Sequence, residues 1–188
     1  MRVVGVMFGI MLVILSCSSA KKNSVSKAPN PMLDRMVAQQ EFVINSDWAS
    51  PMVTTSLNAI ANSGLLQPGT TINNISLIGN TNFLKIKGDS VFGYLPYFGE
   101  RRMSGNYGSN DIGISFEGLA EEFTVKKDSI KQEYQIYFEI SDKKNSQESY
   151  QLRLTLFANL KSRLNVNSSH RTPINYSGIV EAIKVEED

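Results

Sequence analysis

Three patterns of apolar and polar positions follow one another along this chain, and each predicts a different kind of segment. After Met1-Arg2, residues 3–15 are apolar with glycine as the only neutral interruption, and the run stops at Ser16-Cys17-Ser18-Ser19, with Lys21, Lys22 and Asn23 behind it. That is short of the roughly 20 apolar residues a bilayer-spanning helix needs. A basic start, an apolar stretch and then small residues have the form of a secretory signal peptide. Residues 18–30 are Ser, Lys, Asn, Ala and Pro with a single Val25, too polar to bury anything. They predict a flexible tether.

Helical spacing comes next. Asn30 can cap the first free N–H groups of a helix and Pro31 suits its first turn. Met32, Leu33, Met36, Val37 and Gln40 then recur along one face, which predicts a helix ending near Glu41. A second short helix is predicted over residues 52–62, with Met52, Val53, Ser56, Leu57 and Ile60 on one stripe, Ser50-Pro51 before it and Gly64 able to close it.

After Pro68-Gly69 the period changes to two. Segments 72–78, 82–87, 90–94, 113–117, 122–126, 131–140, 150–157, 163–167, 174–176 and 179–185 are rich in Ile, Val, Phe, Tyr and Thr and are bounded by turn residues. In the clearest of them Tyr150, Leu152, Leu154 and Leu156 face one way while Gln151, Arg153 and Thr155 face the other, as a sheet with one dry face requires. Lys87-Gly88-Asp89 and Lys126-Lys127-Asp128 predict tight turns, and residues 141–149 a longer polar loop. Such short links make antiparallel hairpins. A meander of short strands disposes of its edges by closing into a barrel or folding into a sandwich. The expectation for residues 31–188 is therefore a single all-β domain, a small antiparallel β-barrel of lipocalin-like meander, with a two-sheet sandwich as the alternative and one or two short N-terminal helices. About eight strands would leave room for side chains or one small ligand.

Composition adds a cellular context. The 188 residues, 41% hydrophobic and 9% aromatic, suit one ordinary globular domain. Cys17 is the only cysteine, and Ile14-Leu15-Ser16-Cys17 resembles the bacterial lipobox, whose cysteine is lipidated and becomes the new N-terminus. Ile14 and Leu15 depart from its tightest form. On this reading residues 1–16 are a lipoprotein signal peptide, residues 17–30 a lipid-anchored tether, and several acyl chains hold the protein to a membrane. No thiolate is left for a disulfide, a metal or a nucleophile. The 19 basic residues, less Arg2, leave 18 against 18 acidic ones, a balance that argues against nucleic acid as a partner. Ser18 stands where an aspartate would favour retention in an inner membrane, and the residues after it are basic rather than acidic. Both point to the outer membrane and its periplasmic face.

Candidate chemistry is sparse. In Tyr94-Leu95-Pro96-Tyr97-Phe98-Gly99-Glu100-Arg101-Arg102 a strand runs into a proline that cannot continue the ladder. Two readings stay open: the rings plug a barrel end, or Tyr94, Tyr97 and Phe98 floor a ligand pocket at whose mouth Arg101 or Arg102 reads an anion. The loop Met103 to Ile112 lacks the alternating ligands of a calcium loop. His170, the only histidine, sits beside Ser168, Ser169 and Arg171, and chain neighbours rarely form a catalytic triad. Zinc finds one histidine and no free cysteine. Glu121-Glu122 and Glu186-Glu187 read as solvating charges. No metal, cofactor or enzymatic activity is expected.

Leu95-Pro96-Tyr97-Phe98-Gly99, Gly113-Ile114-Ser115-Phe116 and Arg171-Thr172-Pro173-Ile174-Asn175-Tyr176-Ser177-Gly178 resemble the landmarks of a domain-of-unknown-function family, family 4251, of short lipoproteins from Bacteroides-type bacteria. The resemblance covers most of the chain after the tether and implies an all-β barrel on an envelope lipoprotein, with no activity attached. Within the third landmark, Arg171 suits a bridge to strand-end carbonyls or a carboxylate, Tyr176 the closing of the barrel beside its first strand, and Gly178 a close approach of backbones. Asp89-Ser90-Val91 and Asp128-Ser129-Ile130 resemble the O-glycosylation acceptor of the same bacteria, making Ser90 and Ser129 candidates, although Asp-Ser is also good turn chemistry. The functional expectation is a non-enzymatic module binding a small apolar or amphipathic ligand or an envelope partner, through Tyr94, Tyr97, Phe98, Arg101, Arg102, Arg171 and Tyr176. The alternative is a structural or assembly component with a solid core.

Overall fold

Alternation along the strands sorts the side chains into an inside and an outside, and one sheet wraps around the inside. The computed structural model describes residues 28–64, 69–103, 113–143 and 147–183. The apolar run, Cys17 and most of the tether, the greater part of the 103–112 loop, and Glu186-Glu187 lie outside the described residues. The elements are α1 (Pro31–Gln39), β1 (Glu41–Pro51), α2 (Thr55–Asn62), β2 (Ile75–Ser76), β3 (Phe83–Lys87), β4 (Ser90–Leu95), β5 (Ile114–Leu119), β6 (Glu121–Asp128), β7 (Glu133–Ser141), β8 (Ser149–Phe157), β9 (Lys161–Ser168) and β10 (Ile174–Glu181). Every strand pairing is antiparallel, in the order β5-β4-β3-β1-β10-β9-β8-β7-β6, with β2 also against β1. The result is a nearly closed barrel-like sheet of nine strands.

Closure depends on β5 and β6, which are a single bent run of chain with Ala120 between them. Glu122, at φ 51°, lies where the register with β7 shifts. One half of the run pairs with β4 and the other with β7. Across the remaining seam the Lys143 N–H donates to the Ser115 carbonyl at 2.8 Å, and Lys143 forms an ion pair with Glu117. Inside, Phe116 meets Phe138 edge-on at 6.4 Å between centroids, a favourable ring geometry.

The core is made from the inward set of each strand: Phe42 and Ile44 on β1, Leu84 and Ile86 on β3, Tyr150 through Leu156 at alternate positions on β8. Each large apolar side chain fully buried contributes roughly 1.5–3 kcal/mol. Helix α1 closes one end, burying Leu33, Met36 and Val37 against this core. The Asn30 side chain accepts from the N–H groups of Met32 and Leu33 and donates to the Ala158 carbonyl at 2.7 Å. Asp34 takes bonds from Lys127 Nζ and the Tyr134 hydroxyl, both at 2.7 Å. The opposite, loop end carries α2 and the β4–β5, β7–β8 and β9–β10 connections.

Several expectations are corrected. Helix α1 stops at Gln39 because Gln40 turns left-handed, at φ 51°, and the chain enters β1 at once. Residues 41–51, predicted as no strand at all, form the longest strand among the described residues, in the interior of the sheet between β3 and β10. Its inward positions run Phe42, Ile44, Ser46, then jump to Ala49 and Pro51 across a bulge between Ser46 and Trp48; the frame shift and the small inward residues hide the alternation. Only Ile75–Ser76 of segment 72–78 is strand. Lys126-Lys127-Asp128 lies inside β6, and the turn follows it, with Asp128 accepting from the N–H groups of Ile130 and Lys131, each at 3.0 Å. β10 runs unbroken through Ser177-Gly178. Helix α2 starts at Thr55, capped by Thr54, and of the expected stripe only Leu57 is buried. Among the described residues no helix is long and apolar enough to cross a membrane.

Candidate functional site

The sequence-predicted residues divide between the loop end and the outer wall. At the loop end β4 stops at Leu95, and Tyr97 turns its ring inward, 7% exposed. The Tyr97 hydroxyl lies 2.8 Å from Thr172 Oγ1, 3.0 Å from the Thr172 carbonyl and 3.1 Å from the Glu100 carbonyl. A side chain at Gly99 would meet that hydroxyl at 2.4 Å, so the glycine is what lets the β9–β10 connection close on the ring. Tyr176 donates its hydroxyl to the Pro96 carbonyl at 2.7 Å. Glu100 is bonded by Ser56 and Thr54 at the start of α2, which holds its carboxyl below the ordinary range.

Behind Tyr97 lies a buried ion pair. Arg171 Nε meets Glu148 Oε1 at 2.6 Å and its Nη2 reaches Oε2 at 3.3 Å, a two-pronged arrangement, while Nη1 donates to the Gly113 carbonyl at 2.8 Å. The guanidinium stands 5.2 Å above the Tyr97 ring, within cation–π range. Ser168 Oγ donates to Glu148 at 2.7 Å, and Arg101, paired across a short bridge with Arg171, brings Nη2 within 3.6 Å of the same carboxylate. Burial pushes the Glu148 carboxyl up, but Arg171, Ser168 and Arg101 together outweigh it and hold it below its ordinary value. Burial likewise lowers Arg171, and its partnership with Glu148 more than compensates. Burial raises the hydroxyl pKa of Tyr97, Tyr150 and Tyr176. His170 is buried, with Nδ1 2.7 Å from Ser169 Oγ and its carbonyl accepting from the Arg102 N–H at 2.7 Å.

Arg101, Arg171, Tyr97 and Tyr176 are thus gathered into a staple joining four connections of the chain. Phe98 packs half-buried beside it, and Arg102 contributes its backbone while its side chain is exposed. Tyr94 is separated from the group: Gly93 and Leu95 take the inward positions of β4 and Tyr94 lies on the outer wall, 41% exposed. Ser129 is exposed in the β6–β7 turn and Ser90 half-buried at the start of β4. Glu148, the centre of the staple, carried no signal in the sequence, being one glutamate in a polar loop. Among the described residues no three His, Cys, Asp or Glu side chains gather as a metal site.

The outer wall holds the second feature. Strand register sets Glu181, Val43, Lys85, Phe92 and Glu117 side by side across β10, β1, β3, β4 and β5. The neighbouring row contains Phe83, Tyr94 and Ser115. A cleft of about 500 Å³ opens here between Val43, Asn45, Phe83, Lys85, Glu181, Ala182 and Ile183. A smaller depression of about 250 Å³, reaching from Phe83 past Phe92 and Tyr94 to Lys143, adjoins it. A third depression, of about 570 Å³, lies on β6 to β8 and mixes Thr124, Lys126, Gln135, Tyr137, Arg153 and Thr155 with Ile136 and Leu154.

A β-barrel closed by a helix at one end, stapled at the other and clefted on its wall is the class of protein these features define. The chain matches the family model of a domain of unknown function, DUF4251, over residues 27–180, and it belongs to that family. A search of curated proteins finds no match.

Proposed function

We propose that the protein is a non-enzymatic binding module of the cell envelope, held at the outer membrane by lipid on Cys17, facing the periplasm, and carrying a small apolar or amphipathic ligand. The observation that carries this reading is the outer cleft, where Val43, Phe83 and Ile183 occupy a wall whose positions alternation would give to polar residues. The lone histidine is buried against Ser169, which leaves it poorly placed for acid–base work. Native mass spectrometry of the protein purified from its own host tests the reading. A small molecule retained by the native protein and lost from a Phe83→Ser variant supports it; a ligand-free mass overturns it. Incorporation of alkyne-tagged palmitate that disappears in Cys17→Ala tests the anchor separately.

The alternative, an assembly component of the envelope, is favoured by α2 and the segment before it, where Met52, Val53 and Ile60 are exposed. A ligand-free mass together with a protein that co-purifies would select it.

A further inference from the structure

We propose that the outer cleft takes a single-chain amphiphile with one negative charge, a fatty-acid-like carboxylate, and that Lys85 reads the head. The proposal rests on the binding reading above and specifies its ligand.

Lys85 is flanked on β3–β1 by Val43 and on β3–β4 by Phe92, and it lies two residues from Phe83. It is half-buried and lines the cleft. The carboxylates around it are engaged: Glu117 by Lys143, and Glu181 by the Asn45 amide at 3.4 Å. The Lys85 ammonium has no hydrogen bond or ion pair among the described residues. An ammonium set among apolar groups is poorly screened on that side, so an anion placed beside it is attracted more strongly than in open water.

Polarity within the cleft gives the ligand a direction. Glu181 is on β10, on the far side of Val43 from Lys85, and repels a negative head from that wall. The head is therefore placed at β3, and the chain lies along Val43, Phe83 and Ile183. A cationic amphiphile meets Lys85 unfavourably, and a neutral one gains only the apolar contact. The volume, about 500 Å³, falls within the range of roughly 300–1,000 Å³ typical of small-molecule sites.

The test titrates the full-length protein with decanoate, decyl maltoside and decyltrimethylammonium, each below its micelle threshold, by calorimetry and by amide chemical-shift mapping. Decanoate is expected to bind about tenfold more tightly than decyl maltoside, to shift the amides of β1, β3 and residues 181–183, and to bind more tightly than the cation. Lys85→Gln removes the advantage over the maltoside and Lys85→Arg restores it; an unchanged circular dichroism spectrum excludes misfolding on this exposed wall. Equal binding of decanoate and maltoside, indifferent to Lys85→Gln, overturns the anionic head while leaving the binding reading intact. No binding of any of the three removes both. Decanoate binding that appears only when residues 184–188 are deleted makes the chain's own end the occupant and overturns the proposal. So does a dimer in sedimentation that Phe83→Ser dissociates and decanoate does not.

Discussion

Glu148 and Arg171, 23 residues apart in the chain, face each other at 2.6 Å with 0% and 2% of their side chains exposed. Removing either one strands the other's charge in the interior, which destabilises a protein by about 3–5 kcal/mol. Glu148→Ala and Arg171→Ala are each expected to lose that much in urea unfolding, whereas Glu148→Leu combined with Arg171→Met recovers most of it, because neither charge remains. A double-mutant cycle checks the pairing: simple additivity of the two losses would mean that the residues act independently.

Acid should loosen the protein at both ends. The Glu148 carboxyl is held below its ordinary value of 4.5, burial being outweighed by Arg171, Ser168 and Arg101. Asp34 is held below 3.8 mainly by its bonds from Lys127 and Tyr134. A lowered folded-state pKa gives stability that is complete above the ordinary value and fades as pH falls through the folded one. Thermal melts from pH 6 to pH 3 should therefore show a falling midpoint that steepens below about pH 4.5. Glu148→Gln should start lower at pH 6 and fall less; a parallel curve would remove Glu148 from the acid response.

A methyl group at Gly93 would sit 2.2 Å from the Phe116 ring, which is 1% exposed and fixed against Phe138 and Tyr150. Gly93→Ala is expected to destabilise by about 1–3 kcal/mol through overpacking. In a Phe116→Leu background the same change should cost less, since the ring that blocks it is gone. An undiminished loss in that background, measured by denaturant unfolding, would place the conflict elsewhere.

At Gly178 the obstacle is backbone. A Cβ there would lie 2.0 Å from the Asn45 carbonyl oxygen and 2.6 Å from Ser46 Cα, beside the bulge where β1 shifts its register against β10. Gly178→Ala should destabilise more than Gly93→Ala, above about 3 kcal/mol, because no side chain can move aside. Trp48, the only tryptophan, lies in that bulge, and its emission should report the separation of β1 from β10 at lower urea concentration in the variant.

The sequence made the barrel legible wherever one face is consistently apolar. β8 was readable because Tyr150, Leu152, Leu154 and Leu156 keep the alternation through the whole strand, and α1 because Asn30-Pro31 announces it. β1 was not, since the bulge moves its inward positions from even to odd and fills them with serine, alanine and proline. The staple was half legible: Tyr97, Arg101, Arg171 and Tyr176 stand in unusual local sequences, while Glu148 is marked only by long-range pairing. Arg171, Tyr176 and Gly178 meet a carboxylate, a carbonyl and a neighbouring backbone. The outer cleft was illegible because it is a property of register: Val43, Lys85 and Phe92 are unremarkable in order and become neighbours only when β1, β3 and β4 align.

Among the described strands β1 is also the first to emerge during synthesis, and its long partner β10 is the last: Asn45 reaches Glu181 across 136 residues. Until β10 arrives, β1 has β2 and β3 but lacks the neighbour that joins it to the other half of the sheet. Pairing across so long a stretch of chain is entropically costly and slow. The whole sheet is therefore completed late and cooperatively, once β10 has joined β1. Until that moment the two halves of the sheet have no strand to join them.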